Sequence, residues 1–375
     1  MSGNRKPRVA VVFGGRSSEH SVSCATAVSV LQAIDRSAYE VVPVGISTEG
    51  KWVLESTEGT EMDRLSITSG RELPQVDGDR AEVALASGTS PELLVSEPGQ
   101  VPSTLGEVDV VFPLLHGPWG EDGSIQGLFE MADVRYVGAG VLASAVGMDK
   151  HYMKVVFQAH GLPVLPYAVL KPREWERDRA ACLESVEALT YPVFVKPARG
   201  GSSLGISRVD DGAGLVAAVE HARGYDPKVI VETAATGARE IECGVLESFD
   251  DEPPEASVVA EIVVDDTHDF YDFEAKYLGE EHVELRVPAS LPPRAAETVQ
   301  SMSLQAFDAI GAEGLARVDF FYRPDGSLVV NEINTMPGFT PSSMFPRLWE
   351  ASGLDYGGLV ERLLQLALQR RTGLR

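Results

Sequence analysis

Two strand-like runs joined by a tight turn, near the C-terminal end, constrain this chain more than any other feature. The segment is RVDFFYRPDGSLVVNEIN, and its Pro-Asp-Gly tripeptide is a strong signal for a β-hairpin. Strand residues two apart face the same side, so Arg317 shares a face with Asp319. In the second strand, Glu332 shares a face with Asn334. If both faces lie on the same side of the sheet, one guanidinium, two carboxylates and one amide oxygen converge there.

This polar face predicts a metal site. Its oxygen donors, Asp319, Glu332 and Asn334, suit Mg²⁺, which prefers hard oxygen ligands and usually also binds substrate phosphates. The alternative is the solvated face of a surface hairpin. The apolar residues at alternating positions, such as Val318 and Phe320, favour the metal site because they predict strands with one buried face.

The composition is that of a globular protein with an acidic surface. The 375 residues predict two or three domains. A net charge of -24 repels phosphate backbones and anionic lipids, so neither nucleic acid nor a membrane is expected as a partner. A local cluster of Lys and Arg can still bind nucleotide phosphates.

Cysteine usage and hydropathy predict a cytoplasmic protein. Cys24, Cys182 and Cys243 form no CxxC pair, which favours reduced structural thiols. The apolar run that begins at Val9 reaches Gly14 too soon for the core of a signal peptide. No stretch approaches the roughly 20 apolar residues of a membrane-spanning helix.

The N-terminal region predicts a parallel sheet. Strand-like runs at 8–13 and 39–47 flank a helix, and this β-α-β order is typical of parallel pairing. The segment 55–107 is rich in Gly, Ser, Thr, Glu and Pro, so we expect a poorly packed excursion with a few short strands. A second unit begins near Gly140, and strand-like runs dominate from about Glu240.

A strand that ends in a lysine and a glycine-serine loop predicts a phosphate site. In VFVKPARGGSSLG, Lys196 ends the strand, and Ser202 and Ser203 lie in the loop. Glycine lets backbone N–H groups approach phosphate oxygens, although this is not a GxxxxGK[ST] loop. Lys150, in MDKHYMK, is a candidate second phosphate clamp. A flexible surface loop and a solvated lysine are the alternatives.

Two further segments are candidates for binding a nucleotide and for closing the site. In KVIVETAATGAREIE, a strand ends on Glu232 and the chain continues to Glu240, an arrangement that suits adenine and ribose. The segment DFYDFEAKYLGEE carries Lys276 and Tyr277 and lacks helix or strand periodicity. It favours a mobile loop that excludes water from an active site, with an ordinary surface loop as the alternative.

The first turn of the chain predicts an ammonium site rather than a dinucleotide site. GGRSSEHSVS lacks the GxGxxG pattern, and the second strand ends in VGIS, without the acid that holds a ribose. Glu19, in the turn, can meet an ammonium group. His116, which ends a later strand, can assist it, although a structural histidine is equally expected.

Together these segments resemble one enzyme family closely. GGRSSEHSVS, LLHGPWGEDGSIQG, GMDK, VKPARGGSSLG, FEAKY, ARVDFF and NEINTMPGFTPSSM occur in the order and spacing of the D-alanine–D-alanine ligases, members of the ATP-grasp superfamily. The resemblance covers nearly the whole chain. It implies an α/β (α+β) fold with an N-terminal parallel-sheet domain at 1–140 and two ATP-grasp domains at 141–235 and 236–375.

The resemblance also implies the site residues. Those assigned to ATP are Lys150, Lys196, Ser203, Glu232, Ala235, Glu240 and Lys276, with Glu232 and the Ala235 backbone at adenine and Glu240 at the ribose. Two Mg²⁺ ions, or Mn²⁺, are implied at Asp319, Glu332 and Asn334. Residues assigned to the reacting groups are Glu19, Ser202, Tyr277, Arg317 and Gly338, the last two as an oxyanion site. Those assigned to substrate binding are His116, Ser343 and Met344.

The implied reaction is the ATP-dependent joining of two D-alanines through an acyl phosphate, for peptidoglycan precursor synthesis, by a cytoplasmic homodimer. One rival is a D-alanine–D-lactate ligase, although those relatives usually lack a tyrosine where Tyr277 stands. Another is a different ATP-grasp carboxylate–amine ligase. A nucleotide-binding regulatory protein is disfavoured, since nucleotide binding alone does not need the full metal site. The chain departs from common family patterns at Gly200, where many relatives have Glu, and at Met344, where Leu is common.

Overall fold

Three β-sheets of eight, four and five strands organise the described part of the chain. The computed structural model describes residues 5–56, 65, 73–86, 91–97, 99–250, 252–264 and 283–373. The strands of the first sheet are β1 (Arg8–Gly14), β2 (Glu40–Ile46), β3 (Trp52–Leu54), β4 (Glu82–Ala86), β5 (Glu92–Ser96), β6 (Ser103–Glu107), β7 (Val110–Pro113) and β8 (Arg135–Tyr136). They lie in the order β6-β5-β4-β3-β2-β1-β7-β8.

The predicted parallel start of this sheet is confirmed. β1 pairs in parallel with β2 and with β7. Val11 and Phe13 pack with helix α1 (His20–Ala33) on one face, while Val12 packs with helix α2 (Ser124–Met131) on the other. Because both faces are covered, this strand is a continuous apolar run rather than an alternating one.

The expectation of a poorly packed excursion at 55–107 is wrong where the structure describes this segment. The predicted short strands are present, but they extend the sheet in antiparallel fashion from β2 through β6. Val83, Leu93 and Val95 are buried in the same core as Val12 and Val44. The polar composition hid the packing of these strands, because each contributes only one or two apolar side chains to the core.

The second sheet is antiparallel. Its strands, in the order β11-β10-β12-β9, are β9 (Tyr167–Leu170), β10 (Val193–Pro197), β11 (Ser207–Val209) and β12 (Val229–Thr233). The helices of this part of the chain are α3 (Val141–Met148), α4 (Lys150–Ala159), α5 (Pro172–Arg177), α6 (Arg179–Glu187) and α7 (Leu215–Arg223). α4 begins after its N-cap Asp149, which accepts from two helix N–H groups.

The third sheet is also antiparallel, in the order β15-β14-β13-β16-β17. Its strands are β13 (Arg239–Leu246), β14 (Glu255–Val264), β15 (Val283–Arg286), β16 (Leu315–Tyr322) and β17 (Leu328–Asn334). Helix α8 (Pro293–Ile310) packs on one face, and α9 (Met344–Ala351) and α10 (Tyr356–Gln369) follow the sheet.

Helices α3 and α4 belong to the core of the third sheet rather than of the second. Ala143 of α3 and Met153 and Phe157 of α4 pack with Val318 and Ile333. The division of the chain at residues 140 and 235 therefore stays a prediction.

Within the described residues, the three cysteines are free and buried. No helix in these ranges has the length and apolar character to cross a membrane.

Candidate active site

Three carboxylates lie in a row across neighbouring strands of the third sheet. Glu242 of β13 is directly opposite Asp319 of β16, and Asp319 is directly opposite Glu332 of β17. The second pairing depends on a β-bulge in which Asn331 is the extra residue, so that Glu332 takes the place facing Asp319. The predicted placement of Asp319 and Glu332 on one face is confirmed.

Two cations offset most of the negative charge of this row. Arg317 donates from Nε and Nη2 to the two oxygens of Asp319, at 2.7 Å each, and its Nε lies 3.1 Å from Glu242 Oε2. Lys150 Nζ donates to Glu332 Oε2 at 2.7 Å. Burial alone would lower the pKa of Arg317, but Asp319 and Glu242 raise it well above its ordinary value. Glu332 likewise raises the pKa of Lys150 against the effect of burial.

The donor set fits a divalent metal ion. Asn334 lies beside Asp319, with Nδ2 3.0 Å from Asp319 Oδ2, and the carboxylate oxygens are now balanced by cationic groups that a metal ion can replace. Across the ranges that the structure describes, no three His, Cys, Asp or Glu side chains converge to hold a metal. Nucleotide phosphates would have to complete the coordination, which is common for Mg²⁺. The metal-binding role of Asp319, Glu332 and Asn334 stays a prediction.

A buried carboxylate on the second sheet is held between two lysines. Lys196 Nζ donates to Glu232 Oε2 at 2.6 Å, and Lys154 Nζ forms an ion pair with Glu232 Oε1 at 2.9 Å. Glu232 is 1% exposed and Lys154 is 0% exposed. Burial would raise the pKa of Glu232, but the two lysines hold it down at about 2. The carboxylate is therefore charged and forms ion pairs with both lysines. Its contact with adenine stays a prediction.

The glycine-serine loop reaches the N-terminal unit. Ser202 Oγ donates a hydrogen bond to Glu19 Oε1, and Lys150 Nζ lies 3.3 Å from the Gly200 carbonyl. Ser202 and Ser203 have φ values of 49° and 58°, a left-handed conformation that costs about 1–3 kcal/mol at a non-glycine residue. Strained residues of this kind concentrate at functional sites. The loop thus contacts both Glu19 and Lys150.

Glu19 and His116 lie together at the N-terminal end of the site. The Glu19 backbone N–H donates to Ser17 Oγ at 3.2 Å, and Ser17 Oγ donates to the His116 carbonyl at 2.7 Å. His116 Nδ1 is 3.3 Å from the Met336 carbonyl, so Nδ1 carries the proton. Burial lowers the pKa of His116, with Glu19 opposing this effect. The imidazole is neutral and connects β7 to the turn after β17.

A further carboxyl group, Glu121, lies near Glu19. Its Oε2 accepts from the Gly117 N–H at 2.6 Å. Burial, followed by the charge of Glu19, raises the pKa of Glu121 to about 8. Glu121 therefore keeps its proton at neutral pH, because its carboxylate would be buried and would be repelled by the charge of Glu19.

The turn after β17 leads into the N-terminus of α9. A Cβ placed on Gly338 would lie 3.2 Å from Ser343 Oγ. Ser343 is the N-cap of α9, but its side chain makes no bond to a helix N–H; instead, its Oγ accepts from Thr340 N at 3.2 Å. Met344 is the first residue of the helix. The first N–H groups of α9 thus lack a side-chain cap, which favours binding of a carboxylate.

Of the remaining predicted residues, the structure describes two, Glu240 and Ala235. Glu240 lies on β13 and shares a face with Glu242, while Ala235 follows β12 by two residues. Lys276 and Tyr277 lie outside the described residues.

Sequence patterns missed three residues, although each had a signal. Glu242 follows Glu240 by two positions in a buried strand, the spacing of one sheet face. Lys154 follows Lys150 by four positions, the spacing of one helix face. Glu121 lies in LLHGPWGEDGSIQG, the same segment that carries the predicted site residue His116.

The fold and the site define a class of protein. Two antiparallel sheets face the site: one carries Lys196 and Glu232, the other carries the row of carboxylates, and helix α4 supplies Lys150 and Lys154 between them. This is the arrangement of ATP-grasp enzymes. Family models described as the N-terminus and the C-terminus of D-ala D-ala ligase match residues 8–139 and 156–365. The chain belongs to the D-alanine–D-alanine ligase family.

Relatives extend over the full chain. A protein named D-alanine--D-alanine ligase from Arthrobacter sp. (strain FB24) is 57% identical and covers 100% of this chain and 97% of its own. One with the same name from Streptomyces griseus is 56% identical and covers 99% and 95%. Among solved structures, the VanG D-Ala:D-Ser ligase from Enterococcus faecalis has a TM-score of 0.81 at 32% identity, covering 97% and 100%. The D-alanine-D-alanine ligase from Coxiella burnetii has a TM-score of 0.79 at 32% identity, covering 97% and 94%.

Proposed function

We propose that this protein joins two D-alanines to D-alanyl-D-alanine for peptidoglycan precursor synthesis, converting ATP to ADP and phosphate. The full-length relatives with this name support the reaction. The observation that carries the proposal is the pair of contacts Ser202–Glu19 and Lys150–Glu332. They support it because Glu19, the proposed ammonium site, and Lys150, the proposed phosphate lysine, both contact the glycine-serine loop, and Lys150 also contacts the carboxylate row.

The first step activates the carboxylate of the first D-alanine. Glu19 binds its ammonium group, and a carboxylate oxygen attacks the γ-phosphorus of ATP. A carboxyl O–P bond forms, the bond from the γ-phosphorus to its bridging oxygen breaks, and ADP leaves. Both reacting groups are anionic, so Lys150 and Lys196 hold the phosphates and offset their repulsion.

Mg²⁺, when bound, supplies further positive charge against that repulsion. Asp319, Glu332 and Asn334 would hold two such ions, or Mn²⁺, together with the phosphates. Lys150 and Arg317 now neutralise the same carboxylates, which supports a site built for cationic partners.

The second step forms the amide. The second D-alanine binds with its carboxylate at the α9 N-terminus, beside Ser343 and the Met344 N–H. Its neutral amine attacks the acyl phosphate carbonyl, so that a carbon–nitrogen bond forms. The bond from the carbonyl carbon to the phosphate oxygen then breaks, and phosphate leaves and takes up the proton that the amine loses. Arg317 and the Gly338 N–H stabilise the oxyanion that forms on the way. The loop at Ser202 helps to exclude water, which would otherwise hydrolyse the acyl phosphate.

Coupled measurement of ADP release tests this function. With ATP, Mg²⁺ and D-alanine we expect ADP and phosphate in equal amounts, and a dipeptide of D-alanine in the mass spectrum. L-alanine should give neither. Absence of D-alanine-dependent ADP release would contradict the proposal.

The second substrate is tested in the same assay. D-lactate and D-serine are each added with D-alanine, the latter because the VanG structure is named as a D-Ala:D-Ser ligase. At neutral pH we expect the dipeptide of D-alanine to dominate. A dominant depsipeptide would favour the D-lactate alternative, and a dominant D-serine product would favour the specificity of that structural neighbour.

We also propose that the enzyme is a cytoplasmic homodimer. Light scattering of the purified protein tests the assembly, and a monomer at micromolar concentration would argue against it.

A further inference from the structure

Glu242, the third carboxylate of the row, has no part in the reaction described above. It is 5% exposed, and its Oε2 lies 3.1 Å from Arg317 Nε. The same Nε donates to Asp319 Oδ1 at 2.7 Å. One guanidinium is therefore shared by two carboxylates on adjacent strands.

This sharing matters because Arg317 already occupies both oxygens of Asp319. A metal ion at Asp319 would take the same oxygens. The guanidinium cannot lose its proton, and a buried cation without a carboxylate partner is strongly unfavourable. Glu242 is the neighbouring carboxylate that can keep an ion pair with Arg317 when the oxygens of Asp319 bind a metal ion.

The position of Glu242 argues against a ligand role of its own. It lies two strands away from Glu332, with Asp319 between them, which separates the backbones by about 10 Å. Mg²⁺ binds oxygens at about 2.0–2.1 Å, so Glu242 does not share an ion with Glu332, and an ion shared with Asp319 through Glu242 Oε2 would have to displace Arg317 from that oxygen. Its Oε2 instead faces the guanidinium.

We propose that Glu242 is a positioning residue, which holds Arg317 in place for the developing oxyanion while Asp319 binds metal. The inference rests on the proposed function for its catalytic consequence. Its metal-binding consequence can be measured without turnover. The proposed function and the positioning role of Glu242 can therefore be refuted separately.

Glu242→Gln tests the metal-binding consequence, because it removes the charge and nearly preserves the shape. Arg317 then pairs with Asp319 alone and competes with the metal. With both proteins saturated with a non-hydrolysable ATP analogue that supplies the phosphates, we expect Mn²⁺ to bind the variant about tenfold more weakly than the wild type by calorimetric titration.

Glu261→Gln is the matched control. Glu261 is also 5% exposed and also pairs with an arginine, Arg239, at 2.6 Å. It lies opposite Ile241, on the other face of the same sheet. The Glu261→Gln variant should bind Mn²⁺ with the affinity of the wild type, within about twofold. If Glu242→Gln binds Mn²⁺ as tightly as the wild type, the proposal is overturned.

A double-mutant cycle tests whether Glu242 acts through Arg317. Glu242→Gln should lower kcat by about 10- to 100-fold and leave the KM for ATP near that of the wild type. In an Arg317→Lys background, where the forked guanidinium is gone, the further loss should be less than about twofold. An equal loss in both backgrounds would overturn the proposal, since a purely structural or through-space role predicts additivity.

Glu242→Asp provides a second variant if the glutamine variant is poorly folded. It keeps the charge but is one methylene too short to reach Arg317 in the same way. We expect only partial recovery of kcat and of Mn²⁺ affinity. Full recovery would show that charge alone matters and would contradict positioning. A wild type that binds Mn²⁺ but does not ligate D-alanine would refute the proposed function, while the Mn²⁺ comparison would still decide this inference.

Discussion

Lys154 donates a hydrogen bond to the carbonyl of Asn331, at 3.2 Å across 177 positions of sequence. Asn331 is the bulged residue that moves Glu332 opposite Asp319. The same lysine pairs with Glu232 on the second sheet. One fully buried ammonium group thus links the carboxylate between the lysines to the strand that carries the predicted metal ligands.

Removing this lysine should destabilise the fold. Lys154→Met leaves Glu232 paired with Lys196 alone and removes a donor from the Asn331 carbonyl. Breaking one partner out of a buried ion pair costs about 3–5 kcal/mol, so we expect the free energy of unfolding in urea at pH 7 to fall by about that amount. Lys171→Met is the control, since this side chain is 54% exposed and pairs with Glu174 on the surface. It should change the free energy by less than about 1 kcal/mol, and equal losses in the two variants would contradict the prediction.

Acid should remove the stabilisation that Glu232 contributes. The pKa of this group is lowered from 4.5 to about 2 in the folded protein, so the unfolded chain binds its proton more readily. The contribution, about 3 kcal/mol, is fully present above pH 4.5 and is lost as the pH falls toward 2. The difference in unfolding free energy between the wild type and Glu232→Gln should shrink over that range.

The same titration in a Lys154→Met background is the control for this pH effect. Without one of the two cations, the pKa of Glu232 is lowered less, so the acid-dependent part should be smaller. Curves for the wild type and Glu232→Gln that run parallel between pH 4.5 and 2 would disprove the assignment.

Local sequence patterns predicted the hairpin correctly, but they did not predict contacts between segments that are far apart in the sequence. The Pro-Asp-Gly turn and the period-two alternation were enough to place Asp319 and Glu332 on one face. They could not predict the bulge at Asn331, because its carbonyl is satisfied by Lys154, a residue on a distant helix. Glu242 was missed for a related reason, since its role appears only once β13 is known to lie beside β16.

Composition misled the prediction for the N-terminal sheet. Few apolar residues were available at 82–107, yet Val83, Leu93 and Val95 are enough to bury these strands beside β2. A short antiparallel strand can add to an existing sheet when apolar side chains occupy only the positions that face the core, which are every second residue. A polar composition therefore predicts poor packing unreliably when the edge of an existing sheet is available for pairing.

The bond between Ser202 and Glu19 should matter for D-alanine binding. Ser202→Ala and Ser202→Gly both remove the hydroxyl, and a hydrogen bond to a charged group contributes about 1.5–3 kcal/mol. We expect kcat/KM for D-alanine to fall by about 10- to 100-fold in both variants. Because Ser202 has a φ of 49°, glycine also relieves backbone strain, and Ser202→Gly should have the higher Tm of the two.

Ser185→Ala is the control for this hydroxyl. Ser185 lies in the same part of the chain, on α6, and donates to the Cys182 carbonyl at 2.6 Å. Its loss should leave kcat/KM unchanged. Wild-type kcat/KM in Ser202→Ala would show that the contact with Glu19 has no role in the reaction.

Ser343 and Asp355 occupy the same position in two consecutive helices but should respond in opposite ways to alanine. Asp355 caps α10 by accepting from the Gly358 N–H at 2.7 Å, so Asp355→Ala should lose about 1 kcal/mol of stability and keep the wild-type KM for D-alanine. Ser343 makes no such bond to α9, and its Oγ bonds instead to Thr340 in the preceding turn, so Ser343→Ala should lose less stability than Asp355→Ala. If its hydroxyl and the open α9 N–H groups bind the carboxylate of the second D-alanine, its KM should rise by about tenfold. Steady-state kinetics and urea unfolding of both variants check this, and a Ser343→Ala variant that loses stability while keeping its KM would assign the serine to the fold instead of the substrate.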